Sequence, residues 1–454
     1  MRRTGAGAGP PDSWLLGVLA RACSPQERRA GGWLAQADQA SGSDGSSGGD
    51  RSGGSDRSSG SDRSSGSDRY RAWLDLVAGG DPARGADVLR QRGLDVDEFV
   101  RSLENVRPVP GAALPDWARA AGELVDHLES TGSDVPGRAP LLSELAGPGL
   151  PDWMDGSTPW RFYPGFAAWM SRAGHLVSRW SAVHPGLMSP AARRELVLSL
   201  PRTMLTAVGP RLLSEAAGRA PDQPLFGSDP VRDWRGILTG YPVVARLLAV
   251  SWLQWQATTE EMVERIAVDL PGLAPGSRVA ALVMGAGDRH AGGRSVTQLV
   301  LDSGNRLYLK PRPVGPYRVL RAVLAAVDAG GDRLGLSLPS VTARDGYAWS
   351  VHLDPEDCAD DQEVSAYFYR AGAMLRILQT IGATDLHQEN FIPTRTQPVL
   401  VDLETVMNAG SGLDARFRYP DSAGVADTPA ATSMVTSMVD GPPGAASIDI
   451  GALA

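Results

Sequence analysis

The sequence predicts an α+β fold, and three features predict it. From Tyr70 to about Leu270 apolar residues recur at helical spacing; at Gly276 the pattern changes to short alternating runs typical of strands; and from Val364 to Leu378 a further amphipathic stretch leads into a polar segment, D-L-H-Q-E-N, that starts at Asp385. Asp385 and Asp402 lie 17 positions apart with Asn390 between them, an inventory suited to holding metal-bound nucleotide and orienting a hydroxyl.

A chain of 454 residues has room for two or three domains with large cores. Its net charge of -8 leaves no basic footprint for nucleic acid, and no apolar run approaches the roughly 20 residues of a membrane span. The expectation is a soluble cytoplasmic protein without a nucleic-acid partner. Cys23 and Cys358 are too few for a disulfide framework or a zinc cluster and agree with a reducing compartment, so any metal is to be held by oxygens. Of the 44 basic residues one, Lys310, is lysine and the rest are arginine. Against that background a single ammonium marks a site where a compact charge serves phosphate better than a guanidinium; the plainer alternative is a solvated strand position.

The elements follow in order. Pro10-Pro11-Asp12-Ser13 reads as a helix start, which makes residues 1–40 a short helical segment, although the leading arginines and the apolar run also have the outline of an export signal. Residues 41–69, built from near-repeats of S-S-G-S-D-R, have nothing to bury and are assigned to a disordered insertion. Residues 70–275 form a helical region with breaks at 108–110, 136–140, 151 and 221–230. Its core faces are marked by Trp117, Leu124 and Leu128 and by Leu196, Leu200, Leu205 and Val208; Pro242 opens a helix whose apolar side continues through Trp252 and Trp255.

From residue 276 a meander is expected: 279–284, 295–301, a turn at 302–305, and 306–310. Gly285, Gly287, Gly292 and Gly293 fall in its first connection, where backbone can approach a phosphate closely. The loop G-A-G-D-R-H-A-G-G lacks the G-K-[ST] ending of a Walker loop. Lys310 closes the third strand, the position protein kinases give to their phosphate-contacting lysine. The helix expected at 316–328 holds no Glu to pair with it, so its partner is unassigned. Val364, Tyr367, Phe368, Ala371, Met374, Leu375 and Leu378 mark the apolar face of the next helix.

Asp385 is suited to accept the proton of an attacking Ser or Thr hydroxyl, His387 to orient that group or the phosphate, and Asn390 to offer magnesium a hard oxygen. Alternation beyond a strand expected at 398–401 sets Asp402 and Glu404 on one side, so that one binds metal while the other shares the ion or orients neighbours. A polar turn and a solvated strand end are the bland readings of the same residues.

The motifs Y-P-V-V-A-R-L-L, G-D-R-H-A-G-G-R-S-V, Y-L-K-P-R, D-G-Y-A-W, Y-F-Y-R-A-G, D-L-H-Q-E-N and V-D-L-E-T, in this order within the stretch from about Trp160 to the C-terminus, resemble the dehydratase domain of class II lanthionine synthetases. The resemblance implies a helical N-terminal half packed on a two-lobed, kinase-like core at 276–410, distantly related to lipid kinases. It implies phosphorylation of Ser and Thr in a precursor peptide, a leader plus a Ser/Thr/Cys core, using ATP and Mg2+. Elimination of the phosphate would then leave dehydroalanine or dehydrobutyrine. Position by position, Lys310 corresponds to the phosphate-contacting lysine, Asp385, His387, Asn390, Asp402 and Glu404 to residues of phosphorylation, and Asp288 and His290 to a pair implicated in elimination. Residues 411–454 correspond to the start of a C-terminal part that continues in the family. A later arginine and threonine of elimination and the zinc cyclase have no counterpart, so no zinc is expected and a separately encoded cyclase is an expected partner. A kinase that stops at the phosphopeptide, a non-catalytic paralogue that binds leader peptide, and a lipid or small-molecule kinase remain open.

Overall fold

The computed structural model describes residues 13–30, 32–36, 66–103, 106–109, 111–131, 158–216, 226, 229–285, 289, 291–331, 333–383, 386–403, 438–439 and 448–449. The chain is α+β, rich in helix with a small antiparallel sheet. It divides into two compact units, Met1–Pro185 with Leu196–Val268, and Gly186–Glu195 with Asp269–Ala454. Among the described residues no single helix is long and apolar enough to cross a membrane.

Among the described residues the first unit is helical apart from one short ladder, β1 (Leu34–Gln36) against β2 (Val106–Pro108). The short N-terminal helix is Ser13–Arg21, with Leu15, Val18 and Leu19 buried. Helix Gly66–Ala78 begins inside the stretch assigned to disorder, which corrects the boundary at residue 69. The last S-D-R repeat supplies an acidic first turn, and Tyr70 and Trp73 just beyond it give the helix an aromatic face that meets Phe99, with ring centroids 6.2 and 5.0 Å away. Residues 41–65 lie outside the described set. The tryptophans pack as expected. Trp252 and Trp255 are buried, and the Trp255 indole N–H satisfies itself on Ser199 Oγ at 2.9 Å.

The second unit carries a five-stranded antiparallel sheet of β3 (Val279–Met284), β4 (Thr297–Leu301), β5 (Arg306–Lys310), β6 (Val341–Ala343) and β7 (Ala348–Val351). Their spatial order is β3-β4-β5-β7-β6, so the expected meander forms one half and β7 inserts beside β5. Along β5 Leu307 and Leu309 are buried on one face, and Arg306, Tyr308 and Lys310 alternate onto the other. The same unit holds helices Gly315–Ala329 and Asp361–Thr380 and the hairpin of β8 (Phe391–Thr394) with β9 (Gln397–Leu400). One core joins these parts through Tyr317, Leu320, Met374, Leu386, Phe391 and Leu400.

Two expectations are corrected. Val364 and Phe368, assigned to the apolar face of helix Asp361–Thr380, are 40% and 58% exposed, because the stripe that meets the core is Ala371, Met374 and Leu378, with Tyr367 partly buried against it. The last strand stops at Leu400 rather than Val401, and of the two acids that follow it Glu404 lies outside the described residues.

A buried carboxylate anchors β7. Asp269, in the last turn of helix Pro242–Leu273, accepts hydrogen bonds from Arg344 Nε at 2.6 Å, the Tyr347 hydroxyl at 2.7 Å and the Trp349 indole at 2.8 Å. Burial pushes its carboxyl upward, but the donors from Tyr347, Arg344 and Trp349 together outweigh burial and hold it below the usual range. We expect Asp269→Ala to cost about 2–4 kcal/mol in denaturant unfolding, since the Trp349 and Tyr347 donors then lose their acceptor. A depressed folded-state pKa contributes stability that is present above the unfolded value, about 3.9, and is lost as pH falls through the folded one. The wild-type protein should therefore shed this contribution only in acid below about pH 4, and the variant should lack that acid-sensitive component.

Candidate functional site

The site is built around the backbone of one residue, Val401, whose N–H and carbonyl belong to successive peptide groups. Its N–H donates to the backbone carbonyl of Asn390 at 2.9 Å, tying it to the turn Gln388–Asn390 that follows His387. Its carbonyl accepts from Lys310 Nζ, at the end of β5, and from the Tyr317 hydroxyl, in the first turn of helix Gly315–Ala329. Lys310 Nζ also donates to Tyr317 Oη at 2.9 Å and lies 5.4 Å from the centre of that ring. Asp402 is the next residue. Lys310, Asn390 and Asp402, 92 positions apart from first to last, are thus joined through the backbone of one residue, Val401.

Local sequence explains each placement. Lys310 follows Leu309 on a strand whose odd positions are buried, so its stem leaves the sheet on the face of Tyr308. Tyr317 shares the inward stripe of its helix with Leu320 and Leu324 at helical spacing. The turn at 388–390 is set by Leu386 before it and Phe391 after it, both buried in the core.

The electrostatics are those of a partly desolvated cation. Burial lowers the Lys310 ammonium from its ordinary value, while the nearby Asp402 carboxylate works to raise it and Arg312 to lower it. Burial, with the same carboxylate, pushes the Tyr317 hydroxyl far upward, so it stays neutral and protonated. His387 Nδ1 is buried and has no hydrogen-bond partner among the described residues, an orphan that a ligand can satisfy.

Asp385, Asp288, His290, Gly287 and Glu404 lie outside the described residues. Gly285 and Gly292 have φ of +77° and +75°, and Gly293 has +83°, a conformation in which a side chain would be strained and backbone N–H groups can turn toward an anion. Among the described residues no group of three or more His, Cys, Asp or Glu could hold a metal. Magnesium does not need one: it is commonly bound through one or two carboxylates and substrate phosphates. The Asp402 carboxylate is close enough to the Lys310 ammonium to act on it electrostatically, and Asn390 is held to the neighbouring Val401 through its backbone carbonyl.

Tyr317 is the site residue that sequence reasoning missed. The available signal was a hydroxyl at the head of an apolar helical stripe, seven residues after the lone lysine.

Two comparisons with known proteins found a likeness, and the first spans this region. Residues 241–454 match a domain family described as a domain of unknown function, DUF4135. A stretch of 62 residues is 34% identical to the lacticin 481/lactococcin biosynthesis protein LcnDR2 of Lactococcus lactis subsp. lactis, covering 14% of this chain and 7% of that protein.

Proposed function

We propose that this chain acts in lanthipeptide biosynthesis as a dehydratase, phosphorylating Ser and Thr side chains of a precursor peptide and then eliminating the phosphate. The observation that carries the reading is the junction of Lys310 with the residue preceding Asp402, and the likeness to a lacticin 481 biosynthesis protein supports a lanthionine-synthetase-like enzyme of peptide modification. The meander ending in the lysine, and the helix leading to D-L-H-Q-E-N, support a kinase-like core for residues 276–410.

ATP with Mg2+ would supply the phosphoryl group and neutralise charge on it. In this reading Asn390, Asp402 and Glu404 hold the metal, and Lys310 sets a point charge against the phosphates. Asp385 accepts the proton of the attacking hydroxyl. His387 orients that hydroxyl or the phosphate, using the ring nitrogen left unpartnered. Gly285, Gly287, Gly292 and Gly293 let the loop backbone close on phosphate oxygens, and Asp288 and His290 serve the second half-reaction. There the bond from β-carbon to phosphate oxygen breaks as a base removes the α proton, and cations take up the charge of the departing phosphate. The setting is a reducing cytoplasm, with a cyclase adding Cys thiols to the dehydrated residues.

The test is incubation with Mg-ATP and a synthetic leader-plus-core peptide carrying Ser, Thr and Cys, followed by mass spectrometry. Loss of water from the peptide supports the dehydratase; gain of phosphate alone reduces it to a kinase; peptide binding without nucleotide turnover overturns the enzymatic reading. For Asp385→Asn we expect phosphopeptide formation to vanish while the melting temperature is retained. Undiminished phosphorylation would remove Asp385 from the role of base.

A further inference from the structure

We propose that Tyr317 is the positioning residue for Lys310, a neutral hydroxyl that aims the ammonium without cancelling its charge; this rests on the phosphoryl-transfer reading above. The helix after the lysine strand, Gly315–Ala329, has no acidic residue in its first turn. Its one carboxylate, Asp328, sits at the far end and accepts from the Leu334 N–H at 2.9 Å, so it is committed elsewhere. The hydroxyl of Tyr317 stands in the space a carboxylate partner would use, accepting from Lys310 Nζ and donating to the same Val401 carbonyl that Lys310 reaches.

The triangle of Nζ, Oη and carbonyl oxygen has a geometric consequence. An ammonium has three N–H donors. Val401 O and Tyr317 Oη fix the direction of two of them and thereby of the third, which is the one left for a phosphate oxygen. The chemistry of the partner also matters. A carboxylate would neutralise the ammonium, whereas a hydroxyl orients it and leaves the full charge to Asp402 and to an incoming anion. Apolar packing alone does not call for the hydroxyl, because the ring lies in a core of Val314, Leu320 and Leu324 that phenylalanine would fill equally well.

The experiment is a double-mutant cycle on Mg-ATP affinity, measured by calorimetry on the full chain with Tyr317→Phe, Lys310→Met and both together. Tyr317→Phe alone should weaken Mg-ATP binding by roughly tenfold, the size of one hydrogen bond to a charged group. In the Lys310→Met background the same substitution should change affinity by less than about twofold, because no ammonium remains to be aimed. An equal loss in both backgrounds, or none in either while Lys310→Met weakens binding, overturns the positioning role. If Lys310→Met itself leaves Mg-ATP affinity unchanged, the assignment of Lys310 to phosphate falls, and that failure is distinguishable from the first. Thermal unfolding of each variant separates a folding defect from a binding one, and a Tyr317→Phe protein that folds normally yet binds Mg-ATP as the parent does would also sink the proposal.

Discussion

Asp402→Asn is expected to abolish ATP-dependent phosphate transfer to peptide, with a loss of about 10³-fold or more in kcat/KM and a higher magnesium requirement. The substitution is nearly isosteric but replaces an anionic oxygen ligand with a neutral amide, which a hard cation binds far less well. It has a second effect that geometry makes specific to this site. Asp402 is the carboxylate that opposes the desolvation of Lys310, so its removal leaves a partly buried ammonium without its compensating charge and lowers the lysine further. Titrating magnesium against initial rate separates the two contributions. Excess metal should recover some activity if ligand loss dominates, and none if the damage lies in Lys310. Transfer rates equal to the parent protein's at all magnesium concentrations would remove Asp402 from the site.

Lys310→Arg is expected to cost about 10²-fold in kcat/KM although the charge is kept, comparable to losing one well-aimed donor to a developing anion. Nζ stands between the Tyr317 hydroxyl and the Val401 carbonyl, two acceptors that are themselves hydrogen-bonded to each other. A planar guanidinium is broader, presents a fork of five donors and cannot enter that notch in the same pose. The composition makes this a pointed test, because arginine is the cation the chain uses at every other basic position. An arginine variant with parental kcat and KM would show that the single lysine is an accident of composition. We expect instead a near-parental melting temperature and a collapsed rate.

Much of this architecture was legible in one dimension. The strands of the meander alternate, so Leu307 and Leu309 announce the face opposite Lys310, and Pro242 announces a helix start by tolerating the loss of its N–H there. Errors arose where local pattern outruns packing. Val364 and Phe368 have the right spacing for a buried stripe but sit beyond the edge of the core. The S-D-R repeats have no apolar content of their own, yet the last one is drawn into a helix by the aromatic residues that follow. The pairing of β5 with β7 was not visible because nothing in either strand names its neighbour.

The amino-acid order alone determined which groups are available for chemistry: one ammonium at the end of a strand, a polar D-L-H-Q-E-N turn after an amphipathic helix, and acids beyond a short strand. Those are local facts, set by side-chain type and by periods of two and 3.6 residues. Only the tertiary structure decided that Lys310 is held by a tyrosine and by the carbonyl of Val401, 91 positions away, and that Asp269 bonds Trp349 across 80. The reason is physical. A hydrogen bond between distant residues depends on how sheet, helix and hairpin settle against a shared core, and on the direction each backbone presents there, which no local period encodes.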